Sequence, residues 1–314
     1  MISIFDTTVA VYNIGNQIIM DAVNKELLDL FPNEFFVRLP VEEIGTISRR
    51  YNRTCKYSFI GGTNLLNSNI KLYRQWDLSL HNILILRDCI LLGCGWWQYE
   101  NTSITSYTKW AYNKVLSHKF KHSVRDNYTK EKLEKIGIEA INTGCPTLWR
   151  LSPSHTNTII GPKRKSVVVT LTDYNKKPER DKIILETCIN SYKNTYYFPQ
   201  GSGDLDYIQE LGYGNRLTII PPRLEYYNDL LDKEETDYIG TRLHGGIRAL
   251  QKGRRTFIVG IDNRALEMKE DFNLPVIDQD QVQDISRWID RDYVLHLKIP
   301  FQRIEEWKNQ FVKG

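Results

Sequence analysis

The feature that most constrains this chain is an alternation that recurs along most of its 314 residues. Short apolar, β-rich runs end in glycine or polar residues and give way to amphipathic stretches. Ile2 to Tyr12 leads through Asn13-Ile14-Gly15-Asn16 into a segment with Ile18, Ile19, Ala22, Val23, Leu27 and Leu30 on one face. Tyr57 to Ile60 runs into Gly61-Gly62, Cys89 to Leu92 into Gly93-Cys94-Gly95, and Lys121 to Val124 into Arg125-Asp126. A strand-like run followed by a helical period reads as a βα unit. Strands separated by helices pair in parallel, with helices covering both faces of the sheet. Ligands on such sheets sit beyond the carboxyl ends of the strands, so Asn64, Trp96, Trp97 and Arg125 are expected to face one crevice.

A polar, proline-bearing stretch, residues 152–165, interrupts the pattern near the midpoint and reads as an interdomain linker. Beyond it Ser166 to Thr172, Thr195 to Phe198, Leu217 to Ile220, Tyr238 to Thr241 and Thr256 to Ile261 resume as short strands between helical runs. Two α/β domains result, 1–151 and 166–295, with a final segment 296–314 in which Ile304, Trp307 and Phe311 share one helical stripe.

Composition removes several classes. A content of 41% hydrophobic and 25% charged residues is that of a globular protein. The longest apolar stretch, Ile83 to Trp97, is broken by Arg87 and Asp88 and is too short to cross a bilayer. The first residues, Met1-Ile2-Ser3-Ile4-Phe5-Asp6, lack the regions of an export signal, so the expectation is a cytoplasmic protein, at most touching the inner face of the membrane. Five cysteines without a C-x-x-C spacing argue against a disulfide framework and a zinc knuckle. A net charge of +4 falls short of a nucleic-acid footprint and suits a small anionic substrate.

The most informative turn follows Asp237-Tyr238-Ile239-Gly240. Thr241-Arg242-Leu243-His244-Gly245-Gly246-Ile247-Arg248-Ala249-Leu250 reads as a strand turning into a helix that closes on Gly253. The first helical N–H groups lack intrahelical partners and carry the positive end of the dipole, which makes an anion site. Arg242 adds a planar fork for phosphate or carboxylate, and His244 a group that moves protons near neutral pH. An Arg and a His at a helix start can equally be caps. The two glycines that follow, Gly245 and Gly246, weigh against that by allowing close backbone approach, so the backbone at Leu243 and His244 is expected to supply further donors, with Gly245 beside them in the donor site.

Other clusters are weaker. His118 and His122 could share a helical face as metal ligands, yet Lys119 and Lys121 lie beside them and no Glu follows in the H-E-x-x-H manner. Lys109, Lys114, Lys119 and Lys121 read as a solvated face that could also approach an anionic membrane carrying a lipid-linked sugar. Trp96 and Trp97 open an aromatic stretch; core packing is the default, and stacking on a sugar ring the functional alternative. Gly62-Thr63-Asn64 can be a tight turn or a cleft loop. In Pro199-Gln200-Gly201-Ser202-Gly203-Asp204, Gln200 and Asp204 can hydrogen-bond sugar hydroxyls or donor oxygens.

Arg242-Leu243-His244 with Gly-Ile-Arg-Ala-Leu, then Thr256-Phe257-Ile258-Val259-Gly260-Ile261-Asp262-Asn263-Arg264-Ala265, resembles the C-terminal signature of the polysaccharide pyruvyl transferases. Tyr12-Asn13-Ile14-Gly15-Asn16, Ile60-Gly61-Gly62-Thr63-Asn64-Leu65, Ser123-Val124-Arg125-Asp126 and Pro199-Gln200-Gly201 match in order along nearly the whole chain. Asn16 stands where many members carry Asp. The resemblance implies two Rossmann-like domains facing each other across a cleft in the GT-B manner, with the C-terminal helix packing back on the first domain. It implies transfer of the enolpyruvyl unit of phosphoenolpyruvate onto two hydroxyls of a surface-polysaccharide sugar, or of its lipid-linked precursor, as a cyclic ketal with phosphate release. The expected roles are His244 for proton transfer and Arg242, Leu243, Gly245 and Arg125 for the donor. Asn13, Asn16, Gly62, Thr63, Asn64, Trp96, Trp97, Gln200 and Asp204 are expected at the acceptor and cleft. No metal or cofactor is required by this scheme, and phosphoenolpyruvate serves as co-substrate. A nucleotide-sugar glycosyltransferase of the same architecture and a catalytically silent saccharide-binding protein are the alternatives; release of phosphate, release of nucleotide, or neither, separates the three.

Overall fold

The computed structural model describes residues 1–159 and 161–312. Ile160, inside the stretch read as a linker, and the last two residues of the C-terminal segment lie outside the described residues. The chain divides into two compact units, one of residues 1–11, 19–149 and 300–314, the other of residues 12–18 and 150–299. The stretch read as a linker therefore belongs to the second unit, as does the short Asn13-Ile14-Gly15-Asn16 segment, and the C-terminal helix belongs to the first.

The first unit carries β1 (Ile2–Asp6), β2 (Phe36–Pro40), β3 (Tyr57–Gly61) and β4 (Cys89–Leu92), paired in the order β2-β1-β3-β4, all parallel. A second parallel pair, β5 (His122–Val124) with β6 (Ala140–Asn142), joins β4 through the Gly93 N–H donating to the Ser123 carbonyl at 3.0 Å. The first strand ends at Asp6, short of Tyr12, because Thr7–Ala10 form a turn. Helix Phe301–Asn309 buries Ile304 and Trp307, and Phe311 follows just beyond its end. Those aromatic rings pack edge-on against Phe59 of β3, and Lys308 reaches Glu26 at 2.7 Å. An aromatic stripe at helical spacing is enough to seat this helix on the first unit.

The second unit holds β7 (Ser166–Thr170), β8 (Asn194–Tyr197), β9 (Thr218–Ile219), β10 (Thr236–Gly240), β11 (Thr256–Gly260) and β12 (Val276–Asp278). Their order is β12-β11-β10-β7-β8-β9, all parallel. From the central pair β7 and β10 the chain winds outward in both directions, which is the doubly wound order of a Rossmann fold. Strands β7, β10 and β11 are buried at every residue, whereas the edge strand β9 is partly exposed. Burial on both faces favours β-branched, continuous apolar runs such as Val167-Val168-Val169. Among the described residues no helix is long and apolar enough to cross a membrane.

Candidate functional site

In a doubly wound sheet the ligand site lies where the winding reverses, outside the carboxyl ends of the two central strands. Here those strands are β7 and β10. Beyond β10 comes Arg242 and then helix Leu243–Gln251, which no side chain caps. Beyond β7 come Asp173 and Tyr174, beyond the neighbouring β8 comes Gln200, and beyond β11 come Asp262 and Arg264. Side chains of Asn13, Asn16, Tyr174, Gln200, Arg242, Leu243, His244 and Arg264, with Gly15, line one small cavity of about 20 Å3. That is room for about one water-sized group. Tyr174, 59% exposed, is the most exposed of the cavity's walls. Asn13 and Asn16, expected on the acceptor side, thus lie beside His244.

Arg242 is only 6% exposed and is held along one edge. Its Nε donates to the Leu171 carbonyl at 3.1 Å and to Asp204 Oδ2 at 3.2 Å. Its Nη2 donates to Asp173 Oδ1 at 2.9 Å and to Asp204 Oδ1. Burial pulls the guanidinium pKa down, the adjacent Asp204 carboxylate pulls it further up, and the net position is above the ordinary value. The charge read from the sequence as an anion clamp is therefore already compensated by two carboxylates, and only Nη1 lacks a protein acceptor among the described residues.

Asp204 is fully buried and saturated. Besides Arg242 it accepts from the backbone N–H groups of Gln200 at 2.8 Å, Gly201 at 2.9 Å and Asp173 at 3.1 Å. The expectation that it bonds a sugar hydroxyl is corrected: every lone pair points inward, and Asp204 positions Arg242 and the Gln200 loop. Gln200 is 2% exposed; its carbonyl accepts from the Ile14 N–H at 2.9 Å, and its side-chain Nε2 has no acceptor. A Cβ on Gly245 would lie 2.2 Å from Gln200 Nε2, so glycine is what admits the Gln200 amide beside the helix start. Gly246 lets the helix close on β11, where a Cβ would stand 2.5 Å from Ile258.

The first unit gathers its own cluster beyond β3, β4 and β5. Arg125 has no exposed surface, its Nε is 3.4 Å from Asp126 Oδ2, and both Nη atoms lack partners. A Cβ on Gly95 would lie 2.1 Å from the guanidinium, so glycine is what allows Arg125 to lie there. Gly95 donates to the Thr63 carbonyl at 2.9 Å. Gly62 and Thr63 both take left-handed backbone, at φ 59° each, and for a β-branched threonine that is strained. Asn64 donates to the Trp97 carbonyl at 3.1 Å, while its Oδ1 is buried without a partner. The crevice grouping of Asn64, Trp97 and Arg125 is thus close in space.

Trp96 departs from that grouping. It is wholly buried in the core beside Tyr112, its indole N–H bonded to Glu100, so it presents no face to a sugar. Trp97 stacks on Tyr73 with centroids 3.9 Å apart. His122 is also a core residue. Its Nδ1 accepts from the Leu91 N–H at 3.1 Å and its Nε2 donates to the Ser117 carbonyl at 3.0 Å; burial pushes its pKa down to about 4. Among the described residues no three His, Cys, Asp or Glu side chains gather as a metal site.

Larger concavities exist, about 360 Å3 around Phe257, Trp288 and Tyr293 and about 800 Å3 beside Arg38, Glu42 and Ile47. Neither brings together donors from several strand ends. The residues that sequence reasoning missed are Asp173, Tyr174 and Arg264. The signal for Arg264 was present, since it opens the helix that Asp262 caps directly after β11.

Among solved structures, an S. aureus MnaA–UDP co-structure is similar in fold: 10% identity, TM-score 0.51, covering 100% of this chain and 90% of that one. The likeness shows a two-domain, Rossmann-like architecture. No curated protein matches the chain. The polysaccharide pyruvyl transferase model matches residues 13–263, from the Asn13 turn through both clusters to the capped start of the helix after β11. With that span matched, the chain belongs to the polysaccharide pyruvyl transferase family and is a transferase.

Proposed function

We propose that the donor is phosphoenolpyruvate and that the chain builds a cyclic pyruvate ketal on a sugar of a surface polysaccharide or of its lipid-linked precursor. The observation that carries this reading is the cavity at the reversal of the second sheet, where His244 stands beside Arg242 and the uncapped helix start. Proton transfer to the methylene carbon of the donor makes its neighbouring carbon cation-like. A sugar hydroxyl adds to that carbon and loses its proton, the bond to the phosphate oxygen breaks, and a second hydroxyl closes the ketal. His244 supplies the proton, and the Nη1 edge of Arg242 with the backbone at Leu243 holds the anion. Arg125, whose two Nη atoms have no protein acceptor, is the second anion-holding residue.

The test is incubation of the purified protein with phosphoenolpyruvate and a panel of lipid-linked sugars, following inorganic phosphate and the acceptor mass. Phosphate release with a gain of one pyruvyl ketal supports the proposal. Nucleotide release from a nucleotide sugar in its place would make the chain a glycosyltransferase, and no turnover of either donor would leave a saccharide-binding role.

A further inference from the structure

We infer that Arg264, which none of the expected roles includes, is a further donor-binding residue, and that Tyr174 and Asp262 hold it in position; this rests on the phosphoenolpyruvate reading of the same cavity. Arg264 comes from a different strand end than Arg242, yet both line the cavity. Its Nε donates to Asp262 Oδ2 at 2.9 Å, and its Nη2 donates to Asp262 and to the Tyr174 hydroxyl. Asp262 is itself fixed, because it caps helix Asn263–Phe272 by accepting from the backbone of Arg264 and Ala265. The Tyr174 ring lies 5.2 Å from the Arg242 guanidinium and 5.9 Å from that of Arg264, close enough for a cation–π contact with each. One aromatic ring therefore spaces two guanidinium groups at the mouth of the cavity.

The donor count makes this a ligand site and not merely a surface ion pair. Both arginines use Nε and Nη2 on carboxylates, and each keeps an Nη1 with no protein acceptor among the described residues. Gln200 lines the same cavity as a residue, while its buried Nε2, which has no acceptor, faces Gly245. Two guanidinium edges from two strand ends thus meet one cavity with no protein acceptor on their Nη1 atoms. Guanidinium groups fixed by carboxylates on one edge and open on the other hold an anion through charge-assisted bonds. An acceptor-rich anion with oxygens at two ends, a carboxylate and a phosphate, fits two separated guanidinium edges better than a single-ended anion does.

The experiment compares wild type with Arg264→Gln and Tyr174→Phe, measuring the Kd of phosphoenolpyruvate by calorimetry and the KM for donor and acceptor separately. Arg264→Gln keeps the Asp262 cap and removes the charge. It is expected to weaken phosphoenolpyruvate about ten- to hundredfold, the loss of a charge-assisted bond, with the acceptor KM unchanged. Tyr174→Phe, which removes only the hydroxyl that positions Arg264, is expected to shift donor KM in the same direction and by less. Wild-type affinity and donor KM in a folded Arg264→Gln would overturn the inference while leaving the donor intact. Failure of the wild type to bind phosphoenolpyruvate would overturn the donor reading itself.

Discussion

Arg242 and Arg125 look alike in the sequence, each an arginine just past a strand end, and the two units treat them differently. Arg242 is enclosed by Asp204, Asp173 and the Leu171 carbonyl, with one Nη remaining. Arg125 is as deeply buried, yet touches one carboxylate at 3.4 Å and leaves both Nη atoms unpaired. A buried ion pair contributes little net stability when intact but costs heavily when one partner is removed. A buried guanidinium without acceptors is already costly in the native state. The second unit has thus built its arginine into its framework, and the first holds one whose two Nη atoms have no protein partner.

The largest expected effect tests whether the chemistry belongs to the second unit. His244→Asn should lower turnover by roughly 10² to 10⁴, the usual contribution of a positioned acid or base, with little change in Tm. A phosphate-release assay beside a thermal melt reads both, and parental turnover in the folded variant would move the proton-transferring role elsewhere. Next is Arg242→Ala, which leaves the fully buried Asp204 without its cation. About 3 to 5 kcal/mol of stability should be lost, measured by denaturant titration. A loss of donor affinity with no loss of stability would break the contrast drawn here.

Arg125→Met removes charge and keeps volume. Donor affinity should fall about ten- to hundredfold by calorimetry while the stability cost stays well below that of Arg242→Ala. Equal destabilisation by the two variants would show that Arg125 is structural too. The smallest effect concerns β5, which delivers Arg125 and buries His122. With its pKa pushed from 6.5 to about 4, His122 binds its proton less readily folded than unfolded. The stability from its neutral form is present above about pH 6.5 and is lost as pH falls towards 4. His122→Gln should flatten the fall in Tm across that window, and an unchanged profile would assign it to other groups.

Strands β2, β6 and β12 were the least legible in the sequence, since runs of three to five residues offer few positions from which a period can be read. The long helical stripe of Ile304, Trp307 and Phe311 did stand out, and it is buried as a stripe.

What the sequence by itself determined is the alternation of strand and helix, and with it the placing of Arg125, Gln200, Arg242 and His244 just past strand ends. That follows from local periods and turn residues, which act over a few positions of chain. Only the tertiary structure decided which of them meet and which are free to meet a ligand. Asp204 lies 38 residues before Arg242 and holds its Nε and Nη2, Tyr174 and Arg264 are brought together across 90 residues, and Trp96 turns inward. The physical reason is that charge compensation and burial depend on neighbours supplied by other strands, and a linear pattern does not carry the identity of those neighbours.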